Sequence, residues 1–275
     1  MSKSEHVISG KDLELYNQEA MRIQSSQSND KAQLFIKFFS NIDRANQLMK
    51  GLFYCNTTSF YRACELEGIG DTQESVSYHG LYEPNAMIGH LRLGEMVESS
   101  KFPLEKLDGK MKVHSEKVGF EQGWLHCWFV FDEITGSESL ESMLNDLQRV
   151  REEFGFNFVS FQAKDLGKVL ERINKATNDK VRTSRVGYSD NKMLQNIACK
   201  RTDYSYQREF RFIFSECGIE EKEPRAYELG DMSDIFSLNS PISGRLNEKE
   251  ELFKITKDDI EVDNKIINKR AVNKN

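Results

Sequence analysis

Gln207, Glu209 and Arg211 alternate with Phe210, Phe212 and Phe214 in KRTDYSYQREFRFIF, residues 200–214. Successive side chains of a β-strand point to opposite faces, so the three polar residues share one face and the three phenylalanines the other. Three aromatics on one face bury enough apolar surface to anchor the strand in a core. The opposite face then carries a carboxylate flanked by an amide and a guanidinium. A carboxylate fixed on a rigid strand can stabilise positive charge that develops on a substrate in a dry cleft. Gln207 lies two residues away, about 6.5–7 Å along the strand, where it could align a second reactant. The same pattern also describes a polar ladder on a half-exposed sheet, with Glu209 and Arg211 as a same-face ion pair of little energetic value.

Other residues could add to this chemistry. Lys37 sits inside the apolar run AQLFIKFF, residues 32–39. An ammonium in such a run needs a partner, for which Glu209 is the candidate, or must snorkel to solvent. Thr57, Thr58 and Ser59 are hydroxyls at a strand end, able to hold phosphate or ribose or to cap a helix. Arg62 in SFYRAC could contact a phosphate or lie on the surface. Asp71 and Glu74 form a second acidic pair or the cap of a turn. His126 and Cys127 are strand neighbours that point apart, so they cannot act as a nucleophile–base couple.

Composition excludes several classes. The 275 residues are 38% hydrophobic and 30% charged, and the 18 Phe make a real core feasible. The net charge of −6 argues against a general polyanion-binding surface. No apolar run approaches the ~20 residues of a membrane span, and MSKSEHVISGKDLELYNQEA lacks the apolar core of a secretory signal. Five widely spaced cysteines without a CxxC read as reduced thiols of a cytoplasmic protein. The five histidines show no ligand spacing, and neither GxGxxG nor GxxxxGK[ST] occurs.

The elements that must position the site follow from periodicity. Strands are predicted at 32–39, 52–56, 123–132, 154–162 and 181–189, then within 200–214, and less clearly over 226–237 and 255–262. Helices are predicted at 11–22, 41–49, 137–153, 165–176 and 191–199, with weak hairpin-like pieces between 76 and 121. Irregular alternation of the two types argues for α+β, with a split, mainly antiparallel sheet and flanking helices. A polar segment at 1–30, one domain at 31–262 and a polar tail at 263–275 complete the expected organisation.

Several pieces, in order over residues 32–215, resemble a widespread bacterial domain of unknown function. They are Lys37-Phe38-Phe39, Gly51-Leu52-Phe53-Tyr54-Cys55, the turn Gly70-Asp71-Thr72-Gln73-Glu74, Cys127-Trp128-Phe129, and the strand from Gly155 to Phe161. The closing signature, K-x-x-x-W-x-Y-E-x-E-[FYW]-R, corresponds to Lys200 through Tyr204, Tyr206, Gln207, Glu209, Phe210 and Arg211. Gln207 replaces the usual first Glu, and the turn lacks its Pro. The layout also resembles ADP-ribosyltransferases, including toxins of bacterial defence systems, which carry an early basic residue and a late [Q/E]-x-E strand.

The second resemblance implies an ADP-ribosyltransferase-like fold and an NAD-dependent transferase acting on an RNA or protein acceptor. It also implies a toxin of phage defence or of a toxin–antitoxin pair, with an antitoxin protein as possible partner. Glu209 would bind the nicotinamide-side ribose and stabilise the cationic sugar, and Gln207 would orient the acceptor. Lys37 and Phe38 would lie near the NAD, with Ser59 and Arg62 toward its ribose or phosphates. Tyr54, Tyr204 or Tyr206 could stack on the nicotinamide ring. Breaking that glycosidic bond builds an oxocarbenium-like sugar, as in glycoside hydrolysis. A non-catalytic sensor of the same fold, and a nuclease using Asp71, Glu74 and Glu209 with a divalent ion, are the alternatives.

Overall fold

The nine residues Trp124–Asp132 form β7, the spine of the main sheet. The computed structural model describes residues 4–8, 10–65, 70–82, 89–91, 111–120, 122–191, 194–218, 221–245 and 251–262. One edge of β7 pairs antiparallel with β12 (Glu209–Phe214), from Glu209 opposite Phe129 to Phe214 opposite Trp124. Its other edge is shared by two strands. Strand β2 (Ala32–Phe39) takes the Phe129–Asp132 end, and β3 (Leu52–Thr57) takes Trp124 and Leu125. Between them, among the described residues, His126, Cys127 and Trp128 have no registered strand partner on that edge. The sheet therefore opens beside the middle of β7.

Both flanks continue antiparallel. Strand β2 pairs with β8 (Asn157–Gln162), and β8 with β14 (Ser237–Leu238). Strand β3 pairs with β13 (Arg225–Glu228), and β12 with β9 (Val181–Arg185). Among the described residues only β10 (Gly187–Tyr188) and β11 (Cys199–Lys200) pair in parallel. A four-stranded sheet joins β1 (Ser4–Ile8), β6 (Met111–Phe120), β4 (Val76–Tyr82) and β5 (Gly89–Leu91). A three-stranded one joins β15 (Ile242–Arg245), β16 (Glu251–Ile255) and β17 (Ile260–Val262). The class is thus α+β, with a mostly antiparallel sheet.

Two apolar clusters pack the two faces of the main sheet. Phe210, Phe212 and Phe214 enter one together with Phe35, Phe53, Trp128 and Phe161. It is closed by α2 (Ile42–Met49) through Ala45 and Leu48, and by α5 (Leu166–Ala176) through Val169 and Ile173. Ile36, Phe38, Phe129 and Phe131 lead the other, covered by α4 (Ser137–Phe154) through Leu140, Met143, Leu144, Leu147 and Val150. The helical spacing of those five residues makes α4 the lid of the face that carries Glu209. The N-terminal α1 (Gly10–Ser26) docks on β10, with Ile23 buried and Ser189 Oγ donating to Glu19 at 2.6 Å. The turn from α2 into β3 passes at Gly51, with φ +88°, where a Cβ would meet the Gly230 carbonyl oxygen at 1.8 Å. Only glycine fits there.

Several expectations change, among them the strands at 181–189 and 226–237, each of which is two short strands. Gln207 is not on the strand: residues Thr202–Gln207 form a 3₁₀ helix, and Arg208 adopts a left-handed conformation (φ 40°, ψ 50°) before β12 begins. The described part of 191–199 is not an α-helix: Leu194 lies in a 3₁₀ turn, Asn196 bridges Cys199, and Cys199 opens β11. The last predicted strand is two strands, β16 and β17, reversed by a turn in which the Thr256 N–H donates to the Asp259 carbonyl at 2.8 Å. The tail at 263–275 and most of HLRLGEMVES lie outside the described residues.

Candidate functional site

Strand β12 turns Glu209 and Arg211 toward the face that α4 covers only in part. Both are buried, at 6% and 1% exposure. Arg211 Nε donates to Glu209 Oε1 at 2.8 Å and its Nη2 to Oε2 at 3.2 Å. The same guanidinium reaches Glu74, at 2.8 Å to Oε1 and 3.0 Å to Oε2, and also the Ile197 carbonyl. Lys200, from β11, places Nζ 2.9 Å from Glu209 Oε2, 3.4 Å from Glu74 Oε2 and 3.1 Å from Gln207 Oε1. Two carboxylates and two cations form one closed network, and such fork-shaped contacts are the strongest that an arginine makes.

The electrostatics follow from that closure. Burial would push the Glu209 carboxyl up, but Arg211 and Lys200 overcome it and hold it well below the usual carboxylate range. Glu74 is lowered in the same way, against its own burial. Burial opposes the charge on Lys200 and Arg211, and the two carboxylates raise both above their ordinary values. Asp71 goes the other way, raised by burial and by Glu74. All four network side chains are therefore charged at neutral pH.

The network forms one wall of a cavity of about 110 Å³. Gln207, Cys127, Tyr61 and Lys37 complete the polar lining, and Ile36, Phe38, Trp128, Phe129, Val150 and Phe154 supply an apolar wall. This is well below the roughly 300–1,000 Å³ of a site that encloses a drug-sized ligand. It has room for one ring or one sugar of a larger molecule, set between a carboxylate and apolar side chains.

The structure brings four sequence-predicted site residues together: Glu209, Gln207, Lys37 and Phe38 all line the cavity. Five others do not line it. Tyr54 is 49% exposed on β3. Ser59 accepts a 2.8 Å hydrogen bond from Arg62, which also donates to the Glu74 carbonyl at 3.1 Å and to Gln122. That pair braces the backbone of Glu74. Tyr204 packs its ring 5.2 Å from Lys200 Nζ and donates its hydroxyl to the Gly70 carbonyl at 3.0 Å, tying down the same turn. Tyr206 lies in the core beneath Arg149 and donates to Glu153 at 2.7 Å. Thr57 caps α3 (Thr58–Ala63), accepting from the Phe60 N–H. Asp71 caps its turn through the Gln73 N–H.

Sequence reasoning gave no role to Lys200, nor to Glu74 as a partner of Arg211. Glu74 closes the GDTQE turn, and Lys200 opens the stretch that ends in β12. The available signal was charge: each is a charged residue within a few positions of apolar strand sequence, where burial demands an opposite partner. His126 is neutral, its ionisation suppressed by burial and by Lys37, and its Nδ1 donates to the Tyr54 carbonyl at 2.8 Å across the opening of the sheet. Among the described residues no helix is long and apolar enough to cross a membrane, and no group of three His, Cys, Asp or Glu side chains could share a metal ion. No family model, no curated protein and no solved structure matches the chain.

Proposed function

We propose that the cavity beside Glu209 takes the nicotinamide-ribose end of NAD, and that the protein is an ADP-ribosyltransferase with an RNA or protein acceptor. The fold would then be a variant of the ADP-ribosyltransferase fold, with the site at the opening between β2 and β3. NAD supplies a glycosidic bond whose cleavage leaves positive charge on the ribose. The single observation that carries this reading is a buried carboxylate, Glu209, held by Arg211 and Lys200 on the wall of a ring-sized and largely apolar cavity. There a fixed negative charge acts at low effective dielectric, without reorganisation. Gln207, beside it and bound to Lys200, presents an amide that can orient a hydroxyl or amide acceptor. Phe38, Phe129 and Trp128 exclude water and offer an apolar face to a ring. A role as a toxin or effector of bacterial defence, restrained by an antitoxin protein, belongs to the same proposal.

The test is transfer of label from NAD into RNA or protein in a cell lysate. Glu209→Gln preserves the shape of the side chain and should lower transfer by about 100-fold or more. The variant must keep a cooperative unfolding transition for the result to count. Full transfer by a folded Glu209→Gln protein sinks the proposal. A second reading, a ligand-binding module without catalysis, is favoured by one observation: both oxygens of Glu209 are already engaged by cations. Saturable NAD binding with no transfer to any acceptor and no nicotinamide release would establish it.

A further inference from the structure

A second cavity, of about 790 Å³, shares no lining residue with the one beside Glu209. Its volume falls within the range of sites that enclose a small molecule. The ends of β2, β7 and β8 supply Leu34, Phe131, Ser160 and Gln162, and β15 closes the opposite side. Three consecutive residues of β15, Ile242, Ser243 and Gly244, all reach the cavity. Neighbours on a strand point to opposite faces, so β15 meets the cavity along its edge. Among the described residues β16 is the only strand paired with β15, and the other edge keeps its backbone groups for a ligand. The wall is fixed in advance. The Phe131 and Phe253 rings pack 5.3 Å apart, and β15 lies so close over Phe253 that a Cβ on Gly244 would come within 2.1 Å of the ring.

Carboxylates line this cavity without leaving it charged. Both oxygens of Asp132 accept from Arg185, at 2.8 and 2.7 Å. Asp165 gives one oxygen to Lys168 at 2.7 Å, and Asp234 gives one to Arg172 at 2.9 Å. Among the described residues the other oxygen of each makes no hydrogen bond. Glu133 shares the wall with Lys164. Charge is thus balanced, and neither an anion nor a polycation meets a surplus of opposite sign. What stays open is hydrogen bonding. Ser160 is only 4% exposed, yet among the described residues its hydroxyl has no partner. A buried hydroxyl ordinarily has one. Ser237, opposite Ser160 in the strand register, and Ser243 add hydroxyls, and Gln33 and Gln162 add amides. Such a lining both donates and accepts, as every hydroxyl of a sugar does. Leu34, Ile134 and Ile242 set apolar surface among these groups, suited to the C–H face of a sugar ring. We propose that this cavity binds a neutral mono- or disaccharide, with the Ser160 hydroxyl at its floor. The proposal uses none of the residues around Glu209 and holds whether or not the protein acts on NAD.

Saturation-transfer NMR on the full chain tests this, with glucose, maltose and cellobiose as probes at millimolar concentration and calorimetry to give the affinity. At least one of the three should bind saturably and raise the melting temperature, since it binds the folded state. Ser160→Ala removes a hydroxyl that has no protein partner, so the fold should persist while the sugar binds about tenfold more weakly. Ser243→Trp, at an exposed position of β15, should fill the cavity and abolish binding. Both variants should keep the wild-type response to NAD, whatever that response is, because the two cavities have no residue in common. A wild-type protein that binds none of the three sugars overturns the proposal. So does sugar binding that survives both variants unchanged, which would place it elsewhere on the molecule. Spermidine or sulfate binding more tightly than the sugars, and lost in Ser243→Trp, would overturn the neutral ligand class.

Discussion

Arg211 grips Glu74 with two hydrogen bonds, of 2.8 and 3.0 Å, although 137 residues separate them. The same guanidinium holds Glu209, two positions before it on β12. One arginine therefore fixes both the candidate site carboxylate and the turn that closes the site from the other side. Arg62, Ser59 and Tyr204, candidate ligand contacts in the sequence through polar groups for the first two and a stacking ring for the third, brace that turn. Arg211 and Lys200 thus keep Glu209 charged, while Arg62 and Tyr204 hold the turn that carries Glu74.

Breaking this grip should cost more than removing it. Glu74→Gln leaves Arg211 and Lys200 facing one carboxylate instead of two, and an under-compensated buried cation is expensive. The expected loss is about 3–5 kcal/mol, read from urea unfolding. The double variant Glu74→Gln with Lys200→Met restores charge balance and should recover a large part of that loss. Additive losses in the cycle would show that the network is not coupled.

The strand readings that survived were those with a strong apolar period. Residues 32–39 and 124–132 came through almost unchanged, because Phe and aliphatic side chains on both faces leave little choice of element. The alternation of Phe210, Phe212 and Phe214 also placed the core face correctly. The position of Gln207 was not legible. A left-handed residue at Arg208 breaks the period, yet turns Gln207 back onto the same cavity by another route. Nor could periodicity pair Glu74 with Arg211 or leave His126–Trp128, among the described residues, without a strand on one edge. Those depend on which strands share β7, a long-range choice that spacing does not encode.

Arg208 offers a direct test of that turn. Its φ of 40° suits glycine better than a branched residue, while its side chain contacts Asp146 at 2.8 Å near the surface. Arg208→Gly trades the partly exposed ion pair against relief of the backbone, and should stay within about 1 kcal/mol of wild type. Arg208→Val should lose about 1–3 kcal/mol and weaken ligand binding, since it tilts Gln207 and Glu209 out of register. Equal stabilities in chemical denaturation would refute the strained turn.

Acid should unfold the protein in two stages. His126 is held well below its ordinary 6.5, so the unfolded chain binds a proton that the folded one refuses. Stability then falls as the pH drops below about 6.5, by up to about 1.4 kcal/mol per pH unit for one group. Glu74 and Glu209 are also lowered, from 4.5. Their contribution is complete above that value and is lost as the pH falls from it toward their folded values. Unfolding free energies measured against pH should show the shallow stage first, and His126→Phe should erase that stage alone. A flat profile down to the carboxylate range in wild type would contradict the buried neutral imidazole.

The nuclease alternative makes an opposite demand on the same side chains. A divalent ion bound by Asp71, Glu74 and Glu209 needs free carboxylate oxygens. Here Arg211 holds both oxygens of Glu74 and of Glu209, Lys200 approaches each carboxylate, and Asp71 Oδ1 accepts from the Gln73 N–H. A metal would have to displace a guanidinium and an ammonium that already neutralise the pair. Magnesium or manganese at millimolar excess should therefore leave the melting temperature within about 1 °C of that in chelator, because a ligand that binds the folded state must raise it. A metal-dependent rise that disappears in Glu74→Gln would restore the nuclease reading and require Arg211 to swing away from the site.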